Sequence, residues 1–325
     1  MKREIGSFIE LDLRSGGEYY NDEKDVARLN SARSGIYHAC RLLNCTSIHI
    51  PHYLCPTVKN FLKMNGIGVS FYYLNNYFDP LDIRQEEGQA LLLVNYFGII
   101  SQERLLKMAS RYNNVIIDNS AGFFSMPLNG LYTVYSPRKF FGVPDGGYVV
   151  GPGADRFTGE YEQDRSSDTS LFLLKRIEYG LTATYPERMS NEARIDRSGV
   201  LRMSVLTRSL LNSIDYSLLR ERRTENFHFA HKLFNGINII DPTIFCDDDL
   251  SPMVYPLVVE DISLTDKLKR KNIFVGRLWK HVLDFVPADS FEASLSKYLI
   301  PIPIDHRYGQ EDLEYISISA TRLSK

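Results

Sequence analysis

The sequence predicts an α/β fold: a mainly parallel sheet in a large domain, residues 1–240, followed by a small α+β domain, residues 241–325. Three observations predict it. Short apolar runs alternate with helical patterns from Ser47 to Val150, the signature of a parallel sheet with helical crossovers. One run, Ala90 to Val94, is apolar at every position, as in a strand buried on both faces. The composition then shifts near Asp241-Pro242, which marks the domain boundary.

The elements follow in order. Residues 1 to about 30 read as a polar lead-in with a short apolar piece at Phe8 to Leu11. Ser31-Ala32-Arg33-Ser34-Gly35 opens a helical pattern, with hydroxyl residues where an N-cap belongs. Free N–H groups at such a helix start bind anions, and Arg33 adds a fixed charge suited to phosphate. Plain helix capping accounts for Ser31 and Ser34 equally well. Ser47 to Ile50 is a strand, ending at Pro51-His52-Tyr53-Leu54-Cys55. Pro56 starts a helix that Gly66 closes. Val69 to Leu74 is a strand and Asp79-Pro80 begins a turn or short helix. The strand Ala90 to Val94 ends in Asn95, and a helix spans 101–112. Val115 to Ile117 is another apolar strand, ending in Asp118, with Asn119-Ser120-Ala121-Gly122 as its loop.

Crossovers are right-handed, so the C-terminal ends of parallel strands share one edge, where ligands bind. Asn95, Asp118 and the loop bearing Lys139 are candidates to converge there. Asp118 alone also fits an ordinary turn residue. Residues 155–200 read as polar and irregular, apart from a helical stretch at Leu171 to Tyr179. A long helix is expected over 203–235, its basic run Arg220-Glu221-Arg222-Arg223 forming a solvated face. Beyond the boundary come strands at Met253 to Val259, Ile273 to Val275 and Leu299 to Pro303, and helices at Leu264 to Lys271 and from Gln310.

Composition narrows the function classes. With 44% hydrophobic and 24% charged residues and a net charge of -2, the chain reads as a globular protein with no nucleic-acid or membrane-surface signature. The four cysteines show no CxxC spacing and the seven histidines are scattered, so no metal site is expected. The Met1-Lys2-Arg3-Glu4-Ile5 opening lacks a signal-peptide core, so the cytoplasm is the expected location.

The stretch that carries chemistry is Ser136-Pro137-Arg138-Lys139, continuing to Asp145-Gly146-Gly147 between two apolar runs. A lysine held on a loop between buried strands, away from bulk water, loses its proton more easily and can condense with an aldehyde. Taken alone, Lys139 also fits a surface lysine in a polar loop.

Together these segments resemble the DegT/DnrJ/StrS family of pyridoxal-phosphate (PLP) dependent sugar aminotransferases, of the aspartate-aminotransferase-like fold type I. The resemblance runs from about Ser31 to Ile316. Its motifs are Ser31-Ala32-Arg33, Pro51-His52-Tyr53, Asp118-Asn119-Ser120, and Ser136 to Gly147, in family order. Leu201-Arg202-Met203-Ser204 and Leu299 to Ile304 with Gln310-Glu311-Asp312 look like the family's later segments.

The resemblance implies that Lys139 holds pyridoxal 5'-phosphate covalently and moves the substrate proton. It implies that Asp118 pairs with the pyridinium nitrogen. Ala32, Arg33, Ser34 and Ser136 would cradle the phosphate, with Tyr53, Cys55, Asn95 and Ser120 lining the cofactor. It further implies amino transfer, from glutamate, to a nucleotide-linked keto sugar for polysaccharide or glycoside synthesis, in a homodimer. The chain departs from the family pattern at Cys55, Ala121, Val134 and Val200. Those at Cys55, Ala121 and Val200 motivate one alternative, a degenerate binding protein on the same scaffold; a different PLP-dependent reaction is a further alternative.

Overall fold

The computed structural model describes residues 6–81, 83–246 and 250–321; the Met1 to Ile5 opening, read above as carrying no leader, lies outside them. In chain order the elements are β1 (Val26–Leu29), α1 (Ala32–Leu42), β2 (Ser47–Pro51), α2 (Pro56–Met64), β3 (Gly68–Leu74) and β4 (Pro80–Leu81). Then come β5 (Gln89–Val94), α3 (Gln102–Ala109), β6 (Val115–Asn119), β7 (Tyr132–Tyr135) and β8 (Gly147–Val150). Helices α4 (Leu171–Arg197), α5 (Val205–Asn212) and α6 (Tyr216–Phe234) follow. The chain ends in β9 (Val254–Val258), α7 (Leu264–Lys269), α8 (Phe291–Tyr298), β10 (Leu299–Pro303) and α9 (Gln310–Thr321).

Eight strands form one sheet in the order β1-β8-β7-β6-β5-β2-β3-β4. Strands β3, β2, β5, β6 and β7 run parallel, as the alternation of strand and helix predicted. All six residues of β5 are buried, in keeping with a central parallel strand. Strand β8 is antiparallel to both β7 and β1. It follows that β1 points the same way as β7. Its end therefore delivers the start of α1 to the edge where β5, β6 and β7 also end. The polar lead-in thus contains a strand the sequence reading missed: Val26 to Leu29 is only four residues long and finds its partner far along the chain.

Helix α1 lies against β7 and β8, at Gly35. A Cβ there would stand 2.9 Å from Val134 Cγ1 and 3.1 Å from Val149 Cγ2, so a larger residue would push the helix off the sheet.

A second, two-stranded sheet pairs β9 with β10 in antiparallel register, from Leu299↔Val258 to Pro303↔Val254. Helix α6 packs on it through the buried residues Asn226, Phe227, Ala230 and Phe234. Ile273 to Val275, expected as a strand, is irregular. The Ile273 amide closes α7 on the Leu268 carbonyl (3.0 Å), and the Val275 amide bonds back to Ile273 (3.2 Å), so neither is free for a ladder.

Three further expectations change. The helix over 203–235 is two helices, because Asp215 caps α6 by accepting from the Leu218 amide (3.2 Å). Much of 155–200, read as irregular, is α4, whose two arms meet at Gly180 with φ 75° and ψ -171°. The fold-back brings Lys175 Nζ to 2.6 Å from Glu187 Oε1. Asp79-Pro80 leads into the two-residue strand β4 rather than a helix. Among the described residues no helix is long and apolar enough to cross a membrane.

Candidate active site

Three strand ends converge as expected. Val94 pairs with Asp118 and Asp118 with Val134, so Asn95, Asp118 and Ser136 leave the sheet side by side. Asp118 is 5% exposed, and its Oδ1 accepts from the Ser120 amide (2.9 Å) in a local turn that orients the carboxylate. Its Oδ2 has no hydrogen-bond partner among the described residues.

Lys139 closes a short helical turn, Pro137–Lys139, after β7; its amide reaches the Ser136 carbonyl (3.3 Å). The two residues that follow anchor the turn. Phe140 and Phe141 are buried in an aromatic cluster, their ring centroids 5.7 and 4.8 Å from that of Phe123. The backbone is fixed while the Lys139 side chain is exposed. This corrects the expectation of a lysine held away from water: the flanking aromatic rings take the buried space and leave the amine outside. Arg138, next to it, spends its charge on an ion pair with Glu192 of α4. Lys139 Nζ has no such partner among the described residues.

The Asp145-Gly146-Gly147 motif has a structural explanation. Gly147 passes the N-cap of α1 so closely that a Cβ would sit 2.4 Å from the Ser31 carbonyl carbon. Gly146 has φ 128° and donates its amide to the Asn30 carbonyl (2.8 Å). Asp145, fully buried, accepts from the Ser204 amide (2.8 Å) and hydroxyl (2.6 Å) and from the Thr207 hydroxyl. One loop thereby joins the start of α1, the start of α5 and the end of β7.

The helix start is less open than expected. The Ser31 and Ser34 hydroxyls bond each other (2.8 Å), and Ser34 also donates to Asn30 Oδ1 (2.7 Å). Arg33 is paired with Asp196 of α4 at 2.5 Å. Its charge, read as a phosphate ligand, is already neutralised. Ala32 packs against the core beside it.

The lining residues divide. Asn95 is fully buried and knits the loops: its Oδ1 accepts from the Ile100 amide (2.9 Å) and its own amide bonds the Asp118 carbonyl (3.0 Å). Ser120 and Ser136 are buried at the edge. Tyr53 is fully buried, its ring 4.6 Å from that of Trp279 and its hydroxyl unpaired; it offers no surface to a ligand. Cys55 is half-buried at the start of α2, with Sγ 3.1 Å from Thr57 Oγ1. A cleft of about 600 Å³ lies farther out, between β3–β4 and α8.

Sequence reading missed the segment that ties these loops together. The Met253 amide lies 2.9 Å from the Phe97 carbonyl and 3.2 Å from that of Ala121. The loop after β5 also needs Gly98, where a Cβ would fall 2.0 Å from Ala121 O. Arg223, assigned above to a solvated face, is 1% exposed and reaches the same segment. Helical spacing carried the signal: Arg223 stands four residues before Phe227, on the face that Ala230 and Phe234 continue.

A mainly parallel sheet of this order, with a small second sheet beyond it, is the type I fold of PLP-dependent aminotransferases. Solved structures share it. CalS13, a sugar aminotransferase from Micromonospora echinospora, superposes with a TM-score of 0.64 at 17% identity, over 90% of this chain and 86% of that one. Spr1654 from Streptococcus pneumoniae, solved in a PMP form, gives 0.64 at 13% over 92% and 87%. A DegT DnrJ EryC1 StrS aminotransferase from Brucella abortus gives 0.59 at 11% over 92% and 85%. No family model and no curated protein sequence matches the chain.

Proposed function

We propose that the chain is a PLP-dependent aminotransferase of the DegT/DnrJ/StrS type, transferring an amino group, from glutamate, to the keto carbon of a nucleotide-linked sugar. The observation that carries this reading is the pairing of an unpartnered amine, Lys139, with a half-free carboxylate, Asp118, at the ends of adjacent parallel strands. The donor set fits the cofactor. An acid with one open oxygen suits a pyridinium N–H, a free amine suits an aldehyde, and the start of α1 offers amides to a phosphate.

Bound there, PLP would supply an electron sink for the carbon that loses its proton. Asp118 Oδ2 would hold the ring-nitrogen proton, with Ser120 fixing the carboxylate from behind. Lys139 Nζ would carry the mobile proton, its backbone held by Phe140 and Phe141. Ser136 and the amides of Ala32 and Arg33 would take the phosphate. The division into domains of 1–240 and 241–325 belongs to the same reading, supported by the two separate sheets. So does the homodimer, supported by the exposed apolar residues Leu174, Ile177 and Tyr179 on α4 and decided by a light-scattering mass.

The test is an absorbance spectrum of the protein with PLP, wild type beside Lys139→Ala. The reading expects a visible band in the wild type only, trapped on Lys139 by borohydride. A second reading, a binding scaffold without turnover, is favoured by the Arg33–Asp196 pair, which occupies a phosphate ligand. A band that glutamate discharges rules that second reading out; no band in either protein rules out the first.

A further inference from the structure

Arg223 is the bulkiest fully buried side chain among the described residues, and it is a cation. A buried guanidinium gives up its hydration, so its surroundings must compensate. No carboxylate hydrogen-bonds to it among the described residues. It is held instead by three backbone carbonyls. Nη1 donates to Pro252 (3.2 Å) and Met253 (3.3 Å), and Nη2 donates to Phe140 (3.4 Å). The guanidinium carbon also lies 4.5 Å from the Phe140 ring centroid, in cation–π geometry. Nε is buried without a partner. Burial pulls its pKa down to about 10, which leaves it charged at neutral pH.

The partners matter more than their number. Phe140 is the residue after Lys139. Met253 is the residue whose amide faces the Phe97 and Ala121 carbonyls, in the loops after β5 and β6. Arg223 therefore completes a continuous chain of hydrogen bonds. It runs from the loop after Asp118, through Met253 and the guanidinium, to the residue that fixes the Lys139 backbone. Met, Leu or Phe would fill the same core position without the burial cost, but could grip no carbonyl.

We infer that Arg223 is a positioning residue: it locks the Lys139 turn, through the Phe140 carbonyl and ring, to the Pro252–Met253 segment that also holds the loop after Asp118. The guanidinium fork sets the distance between the amine and the carboxylate, and links both to the second sheet through α6. The part concerning Lys139 chemistry rests on the function proposed above; the clamp itself does not.

The experiment uses the full chain with Arg223→Met and Arg223→Lys, and two readouts. The first is amide hydrogen exchange at Phe140 and Phe141, whose amides both bond to the Pro137 carbonyl. The second is the rate at which borohydride traps PLP on Lys139. The clamp expects exchange at least tenfold faster in R223M, with the rest of the sheet unchanged. It expects trapping at least tenfold slower in R223M, and an intermediate rate in R223K, which keeps the charge and loses the fork. Wild-type exchange in folded R223M overturns the inference. So does an R223M that fails to fold beside an R223K with wild-type exchange and trapping, since Arg223 would then be a core element only. If the wild type traps no PLP, the proposed function falls, and exchange alone decides the clamp.

Discussion

Asp118 and Ser120 illustrate how one backbone amide can prepare a carboxylate. The Ser120 amide occupies Oδ1, so the unshared oxygen is left at the sheet edge. Asp118→Asn keeps an acceptor for that amide and removes the charge. We expect the variant to melt within a few degrees of the wild type and to hold PLP at least tenfold more weakly, as measured by absorbance titration. Equal affinity in the two proteins would separate Asp118 from the cofactor. The residue scale is also where the sequence was least legible. Lys139 and Asp118 could be named because strand order predicts convergence. The fate of Arg33 could not, because its partner Asp196 lies on a helix that read as irregular. The burial of Arg223 was hidden by its charge, since a run of arginines and glutamates has the composition of a solvated face whichever member turns inward.

At the scale of elements, the loop Asp145 to Gly147 does more than follow the lysine. Asp145 holds the cap of α5 rather than being it: it accepts from the Ser204 amide and satisfies the Ser204 and Thr207 hydroxyls without contact with water, while Ser204 Oγ accepts from the Thr207 amide (3.1 Å). Asp145→Ala strands those buried donors and leaves the Ser204 cap without its support, a loss of about 3 kcal/mol. A urea titration should show a lower midpoint with an unchanged slope. An unchanged midpoint would mean that α5 is held by packing alone. The elements were largely legible: the apolar runs of β2, β3, β5, β6 and β7 became parallel strands in the predicted sequence. The failures have two causes. Ile273 to Val275 carried strand composition but had its amides committed to turns. Strand β1 was too short to announce itself, since its pairing depends on residues more than a hundred positions later.

The whole molecule has a pH response set by its buried histidines. His38 is fully shielded from water, with its ring nitrogens 2.9 Å from the Tyr161 hydroxyl and 2.8 Å from the Ala154 carbonyl. Burial lowers its pKa below the ordinary value of 6.5. The folded protein prefers the neutral ring, while the unfolded chain takes up a proton first as pH falls. Stability is therefore full above about pH 6.5 and declines below it. Thermal melts between pH 7 and pH 5 should show the fall, and His38→Gln should flatten part of it. A His38→Gln slope identical to wild type would assign the acid sensitivity elsewhere, to His52, His281 or His306, which burial shifts the same way.

The pairing of β1 with β8 also has a consequence for synthesis. A ribosome releases Val26 to Leu29 long before it reaches Gly147 to Val150. Until then the first strand has no partner, and the start of α1 has no glycine pair to rest against. The nascent chain can assemble β2, β3, β5 and β6 in turn, but its lysine edge stays unfinished. Only when β8 arrives and threads between β7 and β1 do the start of α1 and the lysine turn meet. Non-local closure of this kind is slow, and an unpaired edge invites mispairing while it lasts. The acid-Gly-Gly sequence just before β8 is thus the latch of assembly, and a chain stopped short of it would carry every strand of the parallel core and no closed site.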